Sequence, residues 1–367
     1  GVKTFSYLIP DEMKDKIQIG QAILVPFGRQ GLINAFCVGF SDYLPEEIKA
    51  KKISKILDET PLFSIDYLKL LEWVGNYYCC DLVTVLNAAI PLKLIEKVSK
   101  TEQSVEFTSF EGATKRQVEV LEKLKDSGKM PLVMFEKYAK TTRATIKKLE
   151  AAGCLKLSTE EIYRNPLDIL KIENTEPLST LEGEQLSAYE GISKKIKDNS
   201  SAQMLLYGVT ASGKTEVYFK LIDDTIKSGK NVLFLAPEIA LASQLTKRLA
   251  KKFGTKDVAI WHSSISDGER YDVWQRLYKD DIKILAGARS AVFAPLKNIG
   301  LIIIDEEHEG AYKQTSPAPR YDAKVVAQKL SEFHQCPLLL GSATPDISVY
   351  YRAVNSGNLF EMKHRYR

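Results

Sequence analysis

The sequence predicts a multidomain α/β protein: a small β-rich amino-terminal domain, a small winged-helix module, and one P-loop lobe with a parallel sheet. Three observations carry this. From residue 172 onward, short apolar runs alternate with helix-length segments, the pattern of a parallel sheet covered on both faces. Gly208-Val209-Thr210-Ala211-Ser212-Gly213-Lys214-Thr215 has the spacing of a phosphate-binding loop. Ninety-one positions after Lys214, Asp305-Glu306-Glu307-His308 directly follows the apolar run Leu301-Ile302-Ile303-Ile304, as a Walker B acid pair should.

The chain has 367 residues, enough for about two or three domains. With 44% hydrophobic and 27% charged residues it has ample core for a soluble protein. Its five cysteines show no C-x-x-C spacing, which points away from a zinc site or a disulfide framework in this chain. Adjacent Cys79 and Cys80 read as buried small apolar side chains. No apolar run approaches the ~18 residues of a membrane span, and the amino end lacks a basic-then-apolar signal. A cytoplasmic protein with no membrane partner is expected. Net charge is only +4, but between Thr114 and Leu157 eleven Lys or Arg face five Asp or Glu. That concentration suits a local phosphate contact.

Residues 1–105 open with alternation from Ile17 to Gly28, followed by a second strand over 31–40. Glycines at 20, 28, 31 and 39 suggest a small, strongly bent sheet or barrel. The spacing of Leu68, Leu71, Trp73 and Val74 predicts a helix over 67–77, and Pro91 closes the region. Residues 106–165 hold the basic block. Helices are predicted over 116–125 and 142–152, the second stopped by Gly153, with Leu155 and Leu157 alternating in a short strand. Helix, turn, helix, strand reads as a winged helix. Arg143, Lys147 and Lys148 then lie on the exposed face of its second main helix, either as phosphate contacts or as a solvated face.

In the lobe spanning 172–367, strands are predicted over 204–207, 232–236, 258–261, 282–286, 301–304 and 338–340. Such a sheet binds ligands at the carboxyl ends of its strands. The phosphate-binding loop, the acid pair and Gly341-Ser342-Ala343-Thr344 all fall there. Backbone N–H groups from Gly208 to Thr215, including those of Thr210, Ser212 and Gly213, form the cradle for a triphosphate at a helix start. Lys214 reaches the β- and γ-phosphates, the Thr215 hydroxyl ligates magnesium, Asp305 holds the ion, and Glu306 orients the attacking water. The cofactors expected are therefore ATP and Mg2+. Gln185 precedes Gly208 by twenty-three residues, and its amide can read an adenine edge.

In order, Leu181-Glu182-Gly183-Glu184-Gln185, the phosphate-binding loop, Pro237-Glu238-Ile239-Ala240-Leu241, Gly287-Ala288-Arg289-Ser290-Ala291, the acid box and Gly341-Ser342-Ala343-Thr344-Pro345 resemble the motifs of superfamily 2 helicases. The lobe is thus expected to be RecA-like. The string from Asp305 through Gln314, then Pro319-Arg320-Tyr321, narrows the resemblance to the PriA family, primosomal proteins N′. His262-Ser263, Glu269-Arg270, Trp274 and Pro295 support it. Phe5-Ser6-Tyr7, Val25-Pro26-Phe27-Gly28 and Leu57-Asp58-Glu59-Thr60-Pro61 resemble that family's domain for binding a DNA 3′ end.

The resemblance implies an ATP-dependent 3′–5′ DNA helicase of replication restart that binds branched and single-stranded DNA and initiates primosome assembly. Primosome proteins and single-stranded-DNA-binding protein are its implied partners. Phe5, Tyr7, Gly28 and Lys51 would line the 3′-end pocket, with stacking on an aromatic ring. The alternative places Phe5 and Tyr7 in the core of a sheet edge. Ser6 stands where the family usually has an acid, which bears on 3′-end selectivity. Arg289, Tyr312, Lys313, Arg320 and Tyr321 would contact DNA, the tyrosines by stacking. His308 would bond Gln314 or a motif III hydroxyl, with Ser342 and Thr344 in the same network. The family's second lobe, with its zinc-binding insertion, is not found in this sequence. A piece comprising the 3′-end domain, winged helix and first lobe is expected to bind nucleotide weakly, to bind branched DNA, and to be nearly inactive in hydrolysis and unwinding. A duplex DNA translocase and a non-catalytic fork-binding adaptor are the competing readings.

Overall fold

The computed structural model describes residues 4–43, 49–58, 60–90, 101–161, 164–170, 172, 175–198 and 201–365. They form two compact units, Gly1–Lys97 with Asn165–Arg367, and Val98–Arg164. Pro91 and Glu59 lie outside the described residues.

The first unit begins with a three-stranded antiparallel sheet, β1 (Ala22–Pro26), β2 (Leu32–Phe36) and β3 (Lys55–Ile56), in the order β2-β1-β3. Ile23 and Val25 alternate inward and pack with Ile17, Cys37 and Ile53. The β1–β2 hairpin is in register from Ala22 opposite Phe36 to Pro26 opposite Leu32. Helix α1 (Ile65–Tyr77) starts where the Ser64 hydroxyl accepts from the Tyr67 N–H, and it buries Leu68, Leu71 and Val74. Helix α2 (Leu82–Ala89) is capped in the same way by Asp81. Cys80 is half-buried and Cys79 exposed, so neither is the buried side chain expected; the chain turns at Cys79 with φ 53°.

The lobe follows, with α6 (Gly183–Asp198), β7 (Gln203–Gly208), α7 (Lys214–Lys227), β8 (Asn231–Leu235), α8 (Ile239–Phe253), β9 (Val258–Trp261), α9 (Asp267–Tyr278), β10 (Ile284–Gly287), β11 (Ile299–Ile304), α10 (Ala323–His334), β12 (Leu338–Ser342), α11 (Ile347–Asn355) and β13 (Leu359–Met362). Seven parallel strands are ordered β13-β7-β12-β11-β8-β10-β9. All six expected strands are present, and β13 is an unforeseen edge strand. Leu205, Leu233, Ile302 and Leu340 face one core and Leu206, Phe234, Ile303 and Leu339 the other, so both faces are covered. The amino-terminal helices pack into the first of these cores. There the Trp274 Nε1 donates to the Leu62 carbonyl at 2.7 Å.

The second unit contains β4 (Thr101–Phe107), α3 (Lys115–Ser127), β5 (Met130–Pro131), α4 (Leu132–Tyr138), α5 (Arg143–Ala151) and β6 (Leu155–Glu161). Its antiparallel sheet has the order β5-β4-β6, around a core of Val105, Leu121, Leu124, Phe135, Ile146 and Leu149. A boundary between residues 105 and 106 cuts through β4. That strand pairs with β6 from Thr101 opposite Glu161 to Phe107 opposite Leu155, so it belongs here. Among the described residues, no helix is long and apolar enough to cross a membrane.

Candidate nucleotide site and nucleic-acid contacts

β12 lies between β7 and β11, so the loop after β7, the turn after β11 and the segment after β12 stand side by side. A cleft of about 440 Å3 opens there, lined by Gln185, residues 210–216, Arg248, Asp305 and Glu306. The phosphate-binding loop closes through the Ser212 N–H donating to the Val209 carbonyl at 3.0 Å. Gly213 then starts α7 at φ 85°, a left-handed conformation that favours glycine. The first N–H groups of α7 thereby face the cleft with the positive end of the helix dipole.

The residues fit a magnesium–triphosphate group. The Ser212 Oγ is buried with no hydrogen-bond partner among the described residues, an orphaned group beside the cradle. Lys214 is buried; its Nζ donates to the Gly208 carbonyl at 2.7 Å and lies 4.0 Å from Glu306 Oε1. The lysine therefore spans from the loop to the acid turn. Burial raises the Asp305 pKa above the ordinary carboxylate value, and the Glu306 charge adds to the shift. A nearby cation would favour its charged form. Asp305 Oδ1 accepts from the Tyr218 hydroxyl at 3.0 Å. Glu306 has φ 45°, unusual for a non-glycine residue. Thr215 and Asp305 would hold magnesium, which would neutralise phosphate charge, and Glu306 lines the same cleft beside them.

Gln185 donates from its Nε2 to the Ser212 carbonyl at 3.3 Å and is itself buried. With that bond it braces the loop, and it also lines the cleft. His308 Nδ1 lies 2.8 Å from Ser342 Oγ, which also accepts from the Thr344 N–H at 3.0 Å. Of the two expected partners for His308, the motif III hydroxyl is the one it meets. Gln314 instead donates to the carbonyls of Pro317 and Pro319, closing its own loop.

The expected stacking of Tyr312 and Tyr321 on DNA is corrected by their burial. Tyr312 is 0% exposed and Tyr321 3%. The Tyr312 hydroxyl donates to the backbone carbonyls of Leu235 and Asp305, under the acid turn. Tyr321 packs edge-on against Phe293, ring centroids 4.8 Å apart. Neither ring offers a face to a base. Arg289 donates to the carbonyls of Ala311 and Lys313, so it clamps this loop. Lys313 and Arg320 remain exposed beside it.

Phe5 is 59% exposed and sits edge-on to Phe27 at 5.0 Å. Tyr7 is half-buried against the core of Ile17, Ile23, Val25, Cys37 and Ile53, and its hydroxyl donates to the Pro26 carbonyl. The two aromatics thus divide between the two readings: Phe5 presents a free face and Tyr7 packs in the core. Gly28 occupies the adjoining hairpin turn at φ 51°. Lys51 is exposed, next to the bridge between Leu8 and Lys52. In the second unit Arg143, Lys147 and Lys148 are exposed on α5, with Arg143 Nε 3.5 Å from Glu136 Oε1.

One network escaped the sequence reading. Glu307 is wholly buried; its Oε1 accepts from the Asp346 N–H at 2.7 Å and its Oε2 from Lys324 Nζ at 3.1 Å. Lys324 also meets Asp346 Oδ2 at 2.8 Å. The acid box gave a signal in Glu307, whose charge had no stated role. Lys324 gave none, because pairing across 17 residues has no local pattern.

The fold and cleft together are those of a P-loop lobe that resembles superfamily 2 helicase domains. Residues 179–347 match the family model described as "Type III restriction enzyme, res subunit", and residues 2–91 match "3'DNA-binding domain (3'BD)" of the PriA type. The replication restart protein PriA of Bacillus subtilis is 33% identical over 441 residues, covering 99% of this chain and 54% of that protein. Its counterpart in Haemophilus influenzae is 35% identical over 367 residues, covering 94% and 48%. A solved structure of RecG bound to a three-way DNA junction aligns with TM-score 0.39 at 21% identity, over 52% of this chain and 24% of that one. The chain belongs to the PriA family. It spans about half the length of the curated relatives it matches.

Proposed function

We propose that the chain is the ATP-binding and DNA-engaging part of a replication restart helicase, which moves 3′ to 5′ on single-stranded DNA and recognises branched forks. The supporting observation is that Lys214, Thr215, Asp305 and Glu306 line one cleft. Phe5, with Gly28 and Lys51 nearby, serves as the platform for a DNA 3′ end; Tyr7 supports that platform from the core. The basic face of α5 holds phosphates of the branched duplex. Lys313 and Arg320 contact the tracked strand. Primosome proteins and single-stranded-DNA-binding protein are the partners in this reading, and its setting is the cytoplasm. The polarity of movement rests on family membership.

Binding of a fluorescent ATP analogue tests the cleft. Lys214→Ala should weaken it by about 10- to 100-fold, the loss of a hydrogen bond from a charged group to phosphate. Equal affinity in variant and parent would remove the ATP site from the reading. Strand displacement on forked DNA by the full-length protein separates a helicase from a duplex translocase.

A further inference from the structure

We infer that Tyr218 is a positioning residue for the metal ligand, holding the Asp305 carboxylate in the one orientation a magnesium ion needs. The inference deepens the proposed ATP site and rests on it. Tyr218 lies one helical turn beyond Lys214 on α7, so the helix that presents the lysine to phosphate also presents this phenol to the acid turn. Its ring is 0% exposed and stands edge-on to Phe234, centroids 5.4 Å apart at 88°. The hydroxyl is thereby fixed in place, and it donates to Asp305 Oδ1 at 3.0 Å.

The surroundings close over that bond. A Cβ at Gly341 would fall 1.7 Å from the Tyr218 hydroxyl and 3.2 Å from Asp305 Oδ1. Only glycine lets β12 pass there, and its backbone covers the pair. The Asp305 main chain is held as well: its N–H donates to the Leu235 carbonyl at 3.0 Å, and its carbonyl accepts from the Tyr312 hydroxyl. With the backbone fixed and one carboxylate oxygen taken, the other oxygen has a set direction. Rotation of the carboxylate would leave the buried phenol unpaired in the core.

The test is a magnesium titration of fluorescent-ATP binding in the parent and in Tyr218→Phe, which removes one oxygen and keeps the ring. Affinity for the nucleotide in EDTA should stay within about twofold, because the phosphate cradle is untouched. The Mg2+ concentration giving half-maximal enhancement should rise about tenfold, as expected for a lost hydrogen bond to a charged group. In an Asp305→Asn background, Tyr218→Phe should add no further change. An unchanged Mg2+ requirement would overturn the inference. So would an equal loss with and without metal, which marks a purely structural core residue. A parent that binds no nucleotide would overturn the ATP site itself, and this assignment with it.

Discussion

Tyr321 shows how completely packing decides what a side chain can do. Its ring fills space against Phe293, and burial pushes its hydroxyl up to about 12 against the opposing influence of Arg289. Tyr321→Ala should cost about 3–5 kcal/mol through the cavity it opens, while Tyr321→Phe retains most of the packing. Urea unfolding of both variants checks this; a selective loss of DNA response in a fully stable Tyr321→Ala would restore the stacking role. His262 carries a pH consequence. It is buried, its Nδ1 accepts from the Ser264 N–H at 3.1 Å, and burial holds its pKa below 6.5, with the Arg270 charge adding. The native state thus binds fewer protons than the unfolded chain. Its contribution is complete above about pH 6.5 and is lost as pH falls through the lowered native value. The melting temperature should therefore fall from pH 7.5 to about 5.5, and fall less in His262→Asn, which keeps an acceptor. A decline of equal size in the variant would exclude this histidine.

At the level of elements, the turn after β11 and the segment after β12 are tied by two struts. One runs from His308 to Ser342, and the other from Glu307 through Lys324 on α10 to Asp346. Lys324 has its pKa raised: burial acts to lower it but is outweighed by the bonds to Asp346 and Glu307. Lys324→Met leaves the wholly buried Glu307 without its cation and should destabilise the lobe by about 3–5 kcal/mol. Adding Glu307→Gln should recover part of that loss, since the uncompensated charge is gone. Chemical denaturation of the single and double variants checks this, and a merely additive cost would contradict a coupled pair. The starts of α10 and of α9 follow local chemistry. Asp322 caps α10 through the Lys324 N–H, and Ser266 with Glu269 forms a reciprocal cap on α9.

For the molecule as a whole, the parallel sheet was legible because fully buried strands read as unbroken apolar runs, as at 301–304. The loop after β7 and the acid turn after β11, which line the candidate cleft, were legible because each is a run of contiguous residues. β13 was missed since Leu359–Met362 is four residues with a charge inside. β4 was missed because TEQSVEF is mostly polar, and its place comes only from pairing with β6. α4 starts directly after Pro131 and spans seven residues, too few for a period. Tyr312 and Tyr321 were misjudged because aromatic residues among basic ones look alike in sequence whether they face solvent or core. The basic α5 face is the prediction at this scale. Replacing Arg143, Lys147 and Lys148 with Ala should lower the slope of log affinity against log salt on forked DNA by about 2–3, since each released counterion contributes about 0.9. An unchanged slope would remove that face from the interface.

The intervening place of β12 also sets a gauge. Neighbouring strands are about 4.8 Å apart, so the strand ends that bear the lysine loop and the acid turn are separated by about 9.6 Å, two such steps. That gap admits a hydrated divalent ion with a phosphoryl group, whereas adjacent strands would leave half of it. The width of the mouth is thus written into the order of the strands, before any side chain is chosen.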